Sequence, residues 1–196
     1  MASAYTELYE AATALVAALD KSADKLLPQE IVDVVKLHAK FAVGSAWVPV
    51  PGADIAAGAA NIWGMYIRIN NKLEIPAREN IIKTVGTGVA TNLVSYIAMV
   101  GAASALKMIP GIGTMGGAII MSASLYAVTL AGGYIYVKAL TALANKGNGV
   151  IDFSQLEAAV KEILNSKEII KNFINAAKKD YKVNKSEIDN IQSSKE

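Results

Sequence analysis

Between Lys83 and Lys138 the chain carries a single charged side chain, Lys107. Residues 84–106 give 23 consecutive positions without a charge, and residues 108–137 give 30. A helix that is apolar all round is buried, in lipid or in other protein. About 20 apolar residues span a bilayer core, so both runs are long enough. They are also rich in Ala, Gly, Ser and Thr, which pack closely inside water-soluble bundles. Two readings therefore stay open, a membrane-contacting helical pair and a dry helical core.

Pro110-Gly111 separates the two runs, and proline breaks a helix because it lacks an N–H and its ring clashes with the preceding turn. An apolar helix over about 76–107, a Met-Ile-Pro-Gly-Ile-Gly turn and a second helix over about 114–145 make one unit. The same arrangement occurs earlier. A helix over about 28–47, the string Val48-Pro49-Val50-Pro51-Gly52 and a helix over about 55–73 form the other unit. Short connections favour antiparallel neighbours, so the chain reads as two antiparallel helical hairpins with Pro-Gly turns.

Pro28 suits the first turn of its helix, where a missing N–H costs nothing. Ile31, Val34, Val35, His38, Phe41 and Ala42 line one face of that helix. Residues 3–20 form an amphipathic helix with Tyr5, Leu8, Tyr9, Ala12, Leu15, Val16 and Leu19 in one stripe. Asn145 to Gly149 is a stop signal in which glycine takes the left-handed position. Ser154 and Glu157 have capping-box spacing at the start of the C-terminal amphipathic helices. The expected fold is all-α, a helical bundle on two hairpins with N-terminal and C-terminal amphipathic helices. Residues 1–146 form the hairpin domain, with its apolar core at 28–145. Residues 147–196 form the C-terminal helices and tail.

Each hairpin has an apolar tip and a charged base. Trp47, Val48 and Val50 sit at one tip, and Met108, Ile109 and Ile112 at the other, as candidate lipid contacts. Cations near the bases agree with the positive-inside rule. Asp54 and Lys107 are the charges near the tips, as a pair or with Asp54 capping its helix. Gly86, Gly101, Gly113 and Gly117 are helix-packing positions, since small residues four apart let backbones approach. Trp63, Tyr66, Tyr96, Tyr126, Tyr134 and Tyr136 fit either an interfacial belt or a core.

Catalytic chemistry finds little material. There is no cysteine, which removes thiolate metal sites and thiol catalysis. His38 is the sole histidine, on an apolar stripe and without a partner that spacing can nominate. Gly111-Ile-Gly113-Thr-Met-Gly116 matches a dinucleotide fingerprint in spacing alone, because a proline and a helix precede it and no acid follows until Asp152. No cofactor or metal is implied, and the chain reads as non-enzymatic. A net charge of +2 gives no reason to expect a nucleic-acid partner. The acidic, amphipathic N-terminus lacks signal-peptide character, which places the chain in the cytoplasm or at the cytoplasmic face of a membrane, peripheral or integral.

The string from Trp47 to Ile55, the later Ile109-Pro110-Gly111-Ile112-Gly113 turn and Thr129-Leu-Ala-Gly132 resemble a bacterial family of uncharacterised helical domains. That family carries Pro-x-Pro-x-x-Asp-Ile, then Ile-Pro-x-x-Gly, then Thr-x-x-Gly. Its members often follow a Ras-like or dynamin-like GTPase domain and are described as membrane-associated. The resemblance covers about residues 30–145 and implies a non-catalytic, membrane-associated accessory module. This chain carries no GTPase domain, so a GTPase partner would act in trans.

Three functions compete on these grounds. The first is a membrane-associated scaffold or accessory module that contacts lipid and self-associates. The second is a soluble self-assembling structural protein, and the third a pore-forming or membrane-disrupting one.

Overall fold

The computed structural model describes the backbone of residues 20–45 (save 22 and 26), 53–100 (save 77) and 114–166. Side-chain surroundings are described within 20–42, 59–93 and 125–166. Both Pro-Gly turns, the predicted N-terminal helix up to residue 19 and residues 167–196 lie outside the described residues.

Five α-helices and one 3-10 turn follow a short helical stretch at residues 20–25, and the described residues contain no strand. α1 runs over Gln29–Ser45, α2 over Ala53–Lys72, α3 over Glu79–Val100 and α4 over Thr114–Lys146. The 3-10 turn Phe153–Gln155 leads into α5, Leu156–Asn165. The all-α expectation is met.

α1 starts where expected. The Pro28 carbonyl accepts from the N–H of Ile31 at 2.9 Å and of Val32 at 3.2 Å, so the proline stands at the cap and no donor is lost. The buried face of α1 is Ile31, Val32, Val35, His38, Ala39 and Ala42. Phe41, assigned from the sequence to that face, is 54% exposed. At 100° per residue the face centres between 35 and 39, and position 41 falls on its flank.

α2 buries Ala59, Ile62, Met65, Tyr66, Ile69 and Asn70. It ends in a Schellman motif, with the Ile75 N–H on the Asn70 carbonyl at 2.9 Å and Glu74 left-handed at φ 56. Pro76 belongs to the connection that follows, so α3 begins at Glu79, three residues later than expected.

α4 is the core helix. Every residue from Leu125 to Tyr136 is buried, which is why its sequence has no polar face. It too ends in a Schellman motif, with the Gly149 N–H on the Ala144 carbonyl at 2.8 Å. Asn148, at φ 51, takes the left-handed position just past the helix expected for a glycine, and Gly149 follows at φ 94. Asparagine tolerates that region better than most residues do.

The first four helices form a ring. α1 packs on α2, α2 on α3, α3 on α4 and α4 on α1. α2 and α3 are antiparallel, with Trp63 against Gly86 and Thr87. α2 and α4 are parallel, since Tyr66 meets Gly132 and Asn70 meets Tyr136. α5 packs on α3 and α4 through Leu156, Val160 and Ile163, which share the one hydrophobic core.

Candidate functional site

Trp47, Val48, Val50, Gly101, Lys107, Met108, Ile109, Ile112 and Gly113 lie outside the described residues. Asp54 and Gly117 lie in the described backbone of α2 and α4, with side-chain surroundings outside the description. Among the predicted site residues, Gly86 is described fully. It faces Trp63, and a Cβ on it would stand 2.5 Å from Trp63 Cδ1. The Trp63 indole N–H, beside it, donates to Thr87 Oγ1 at 3.2 Å.

The structure brings together a polar seam inside the ring, most of it on α2. Asn61 Nδ2 donates to the His38 carbonyl at 2.8 Å, and its Oδ1 meets His38 Nδ1 at 2.9 Å. One turn on, the Tyr66 hydroxyl donates to the Gly132 carbonyl at 3.0 Å. Tyr66 stacks on Tyr136 with ring centroids 3.8 Å apart, and the Tyr136 hydroxyl donates to Asn70 Oδ1 at 2.9 Å. At the far side the Tyr126 hydroxyl donates to Asp20. These tyrosines are core residues, which decides between the core and belt readings for Tyr66, Tyr126 and Tyr136. Asn61 and Asn70 were not singled out in the sequence. The available signal was an amide at Asn70, on the same stripe as Ile62, Tyr66 and Ile69.

Burial sets the electrostatics of the seam. It raises the phenol pKa of Tyr66, and the Tyr136 phenol adds to that. Tyr136 is raised by burial, with Asn70 opposing. Tyr126 is raised by burial and by its bond to Asp20. These phenols stay protonated, so they hold the helices in register and offer no base. His38 is lowered chiefly by burial. Among the described residues no three of His, Asp and Glu converge to hold a metal ion.

The described face of α3 is polar, whereas Leu37, Phe41, Leu73 and Val150 are exposed apolar side chains elsewhere. On α3 the exposed Thr84 and Thr87 donate to their own helix's carbonyls four residues back, as does Asn92. Near the base, the Asp152 carboxylate accepts from the Ser154 N–H at 3.0 Å, the Ser154 hydroxyl and the Gln155 amide. The Ser154 hydroxyl is therefore a donor to Asp152, and Asp152 takes the capping role expected of Ser154. These bonds hold the Asp152 carboxyl below the usual range.

One described helix, at Leu125–Lys146, is long and apolar enough to cross a membrane by length and composition, with mean hydropathy 1.4. Of its most apolar window, 78% is buried inside the protein, as suits the core of the ring.

Over 107 residues the chain is 34% identical to Magnetosome membrane protein 22 of Magnetospirillum gryphiswaldense. The similarity covers 54% of this chain and 55% of that protein, so the chain spans about half the length of the curated relative it matches. The chain matches no protein-family model, and no solved structure matches it.

Proposed function

We propose that this chain is a non-enzymatic bacterial membrane-associated module, in which a protein-packed bundle base carries apolar hairpin tips that contact lipid. The observation that carries the reading is the similarity to a magnetosome membrane protein, together with the charge-free runs flanking Lys107.

The described half of the molecule bears on how lipid would be met. α3 turns Lys83, Thr84, Thr87, Thr91 and Asn92 outward, a face unsuited to hydrocarbon. The described apolar part of α4, from Leu125 onward, is mostly enclosed by protein. Lipid contact is thus assigned to chain beyond residue 93, before residue 125 and around the first turn. In that stretch α3 contributes residues 94–100 and α4 residues 114–124. Trp47, Val48 and Val50 at the first tip and Met108, Ile109 and Ile112 at the second are the proposed contacts. Gly101, Gly113 and Gly117 would let the second pair of helices close together, and Asp54 would pair with Lys107 or cap α2.

The role that fits is a scaffold or accessory module, the accessory role being what the family resemblance implies, with self-association through its small-residue helix faces or a GTPase partner in trans as its proposed partners. Liposome flotation tests the lipid claim. The full chain should float with vesicles, and Trp47→Glu with Val48→Glu should reduce binding about tenfold or more, since a buried carboxylate costs several kcal/mol. No flotation with neutral or anionic lipid would refute the reading in favour of a soluble, self-assembling protein.

A further inference from the structure

His38 is the one histidine of the chain, and the residue is 5% exposed. Asn61 fixes its tautomer. Nδ2 of Asn61 donates to the His38 carbonyl, and a carbonyl can only accept. The Oδ1 end of the amide is therefore the atom facing His38 Nδ1. That oxygen also only accepts, so Nδ1 carries the proton and Nε2 the lone pair. Nε2 is buried with no hydrogen-bond partner. A neutral lone pair there costs little, whereas a buried N–H of an imidazolium with no acceptor costs far more. The ring lies against the bare backbone of Gly64 and the edge of Phe41. Its Cε1 would stand 3.1 Å from a Cβ placed on Gly64, and Phe41 packs edge-on at 5.8 Å.

The charges around it do not favour protonation. On α2, Arg68 is the charged side chain whose field acts on the ring, and it opposes a second cation. Asp54 and Lys72 stand near the two ends of that helix. On α1, Glu30, Asp33 and Lys40 are exposed, and Lys36 pairs with Asp24 at 2.6 Å. The preceding segment adds Asp20, which accepts from Tyr126, and Lys21 and Lys25. α4 carries the phenols Tyr126, Tyr134 and Tyr136 and the cations Lys138 and Lys146, and no acid.

We propose that the His38–Asn61 contact is an acid-sensitive latch, in which a proton taken up at His38 Nε2 releases the C-terminal half of α1 from α2. That half of α1 leads into the Trp47–Pro51 turn, so on the membrane reading above, and resting on it, the latch governs when the first tip is freed. Burial is the main cause lowering the imidazole below 6.5; Arg68 adds to it, and the Asn61 bonds oppose it. The unfolded chain thus takes the proton at higher pH than the folded one. The contribution of His38 to stability is complete above 6.5, is lost as pH falls from there towards the folded value, and falls no further below it.

With one histidine, NMR of the full chain yields one imidazole Cε1–H signal. Its midpoint should lie below 6.5, and hydrogen exchange corrected for intrinsic rates should quicken in residues 38–45 between pH 7.5 and 5.5 more than in α3. His38→Asn keeps an N–H near Asn61 and cannot titrate, so its Tm should be flatter than wild type over that range. A midpoint at or above 6.5, exchange that rises equally in α1 and α3, or equal Tm slopes would overturn the latch. The midpoint decides even where the variant does not fold. These measurements are made without lipid, whereas flotation at either pH bears on the membrane reading alone.

Discussion

Gly133 faces Val35 so closely that a Cβ on the glycine would stand 2.7 Å from Val35 Cγ2 and 2.8 Å from Cγ1. α1 and α4 meet there with no space for a methyl group, and valine has little rotamer freedom in a helix with which to yield. Gly133→Ala should therefore destabilise the bundle by about 1–3 kcal/mol, although alanine is the better helix former by nearly 1 kcal/mol. Gly88 supplies the control. Nothing lies within 4 Å of a Cβ there, so Gly88→Ala should stabilise by about 0.5–1 kcal/mol. Denaturant titration gives both values. In a cycle with Val35→Ala, strict additivity would show that the two residues do not touch.

The stacked pair Tyr66 and Tyr136 makes a second contrast. Tyr136 is the hydrogen-bond partner of Asn70 Oδ1, and Asn70 Nδ2 has none. Tyr136→Phe would strand both ends of a fully buried amide, at about 1–3 kcal/mol. The Gly132 carbonyl that accepts from Tyr66 also lies inside a helix and keeps its bond to the amide four residues on. Tyr66→Phe should then cost less, about 0.5–1.5 kcal/mol. Adding Asn70→Leu to Tyr136→Phe should recover much of the loss. Thermal unfolding reads all three, and an equal cost for the two phenylalanine variants would contradict this account of the seam.

The seam also marks how far the sequence could be read. The start of α1 and the ends of α2 and α4 were legible because Pro28, Pro76 and the run 145–149 act locally, through caps and φ restrictions. The encirclement of α4 was legible in outline, because a helix without a polar face requires enclosure. Which helix meets which was not. The contact of Tyr66 with Gly132 joins residues 66 positions apart, and periodicity along one helix says nothing about its partner. Asn61 escaped notice because an amide looks alike whether it clamps a histidine or faces water. Phe41 was misplaced by a fraction of a turn, since a stripe read from apolar residues cannot tell the centre of a face from its edge.

Glu74 holds a left-handed backbone at φ 56, where a Cβ crowds the following carbonyl at a cost of about 1–2 kcal/mol. Its place is set by the chain around it. The Leu73 N–H must reach Ile69 and the Ile75 N–H must reach Asn70, so the residue between them has to reverse the helix. Its side chain is exposed, so replacing it sacrifices no packing. Glu74→Gly should stabilise the fold by about 0.5–1 kcal/mol, the relief being partly offset by the greater freedom of glycine in the unfolded chain. Asn148 at φ 51 closes α4 in the same way, but asparagine visits this region at lower cost, so Asn148→Gly should change stability little. Urea midpoints of the two variants measure the difference, and a Glu74→Gly protein no more stable than wild type would mean that the turn relaxes its strain by another route.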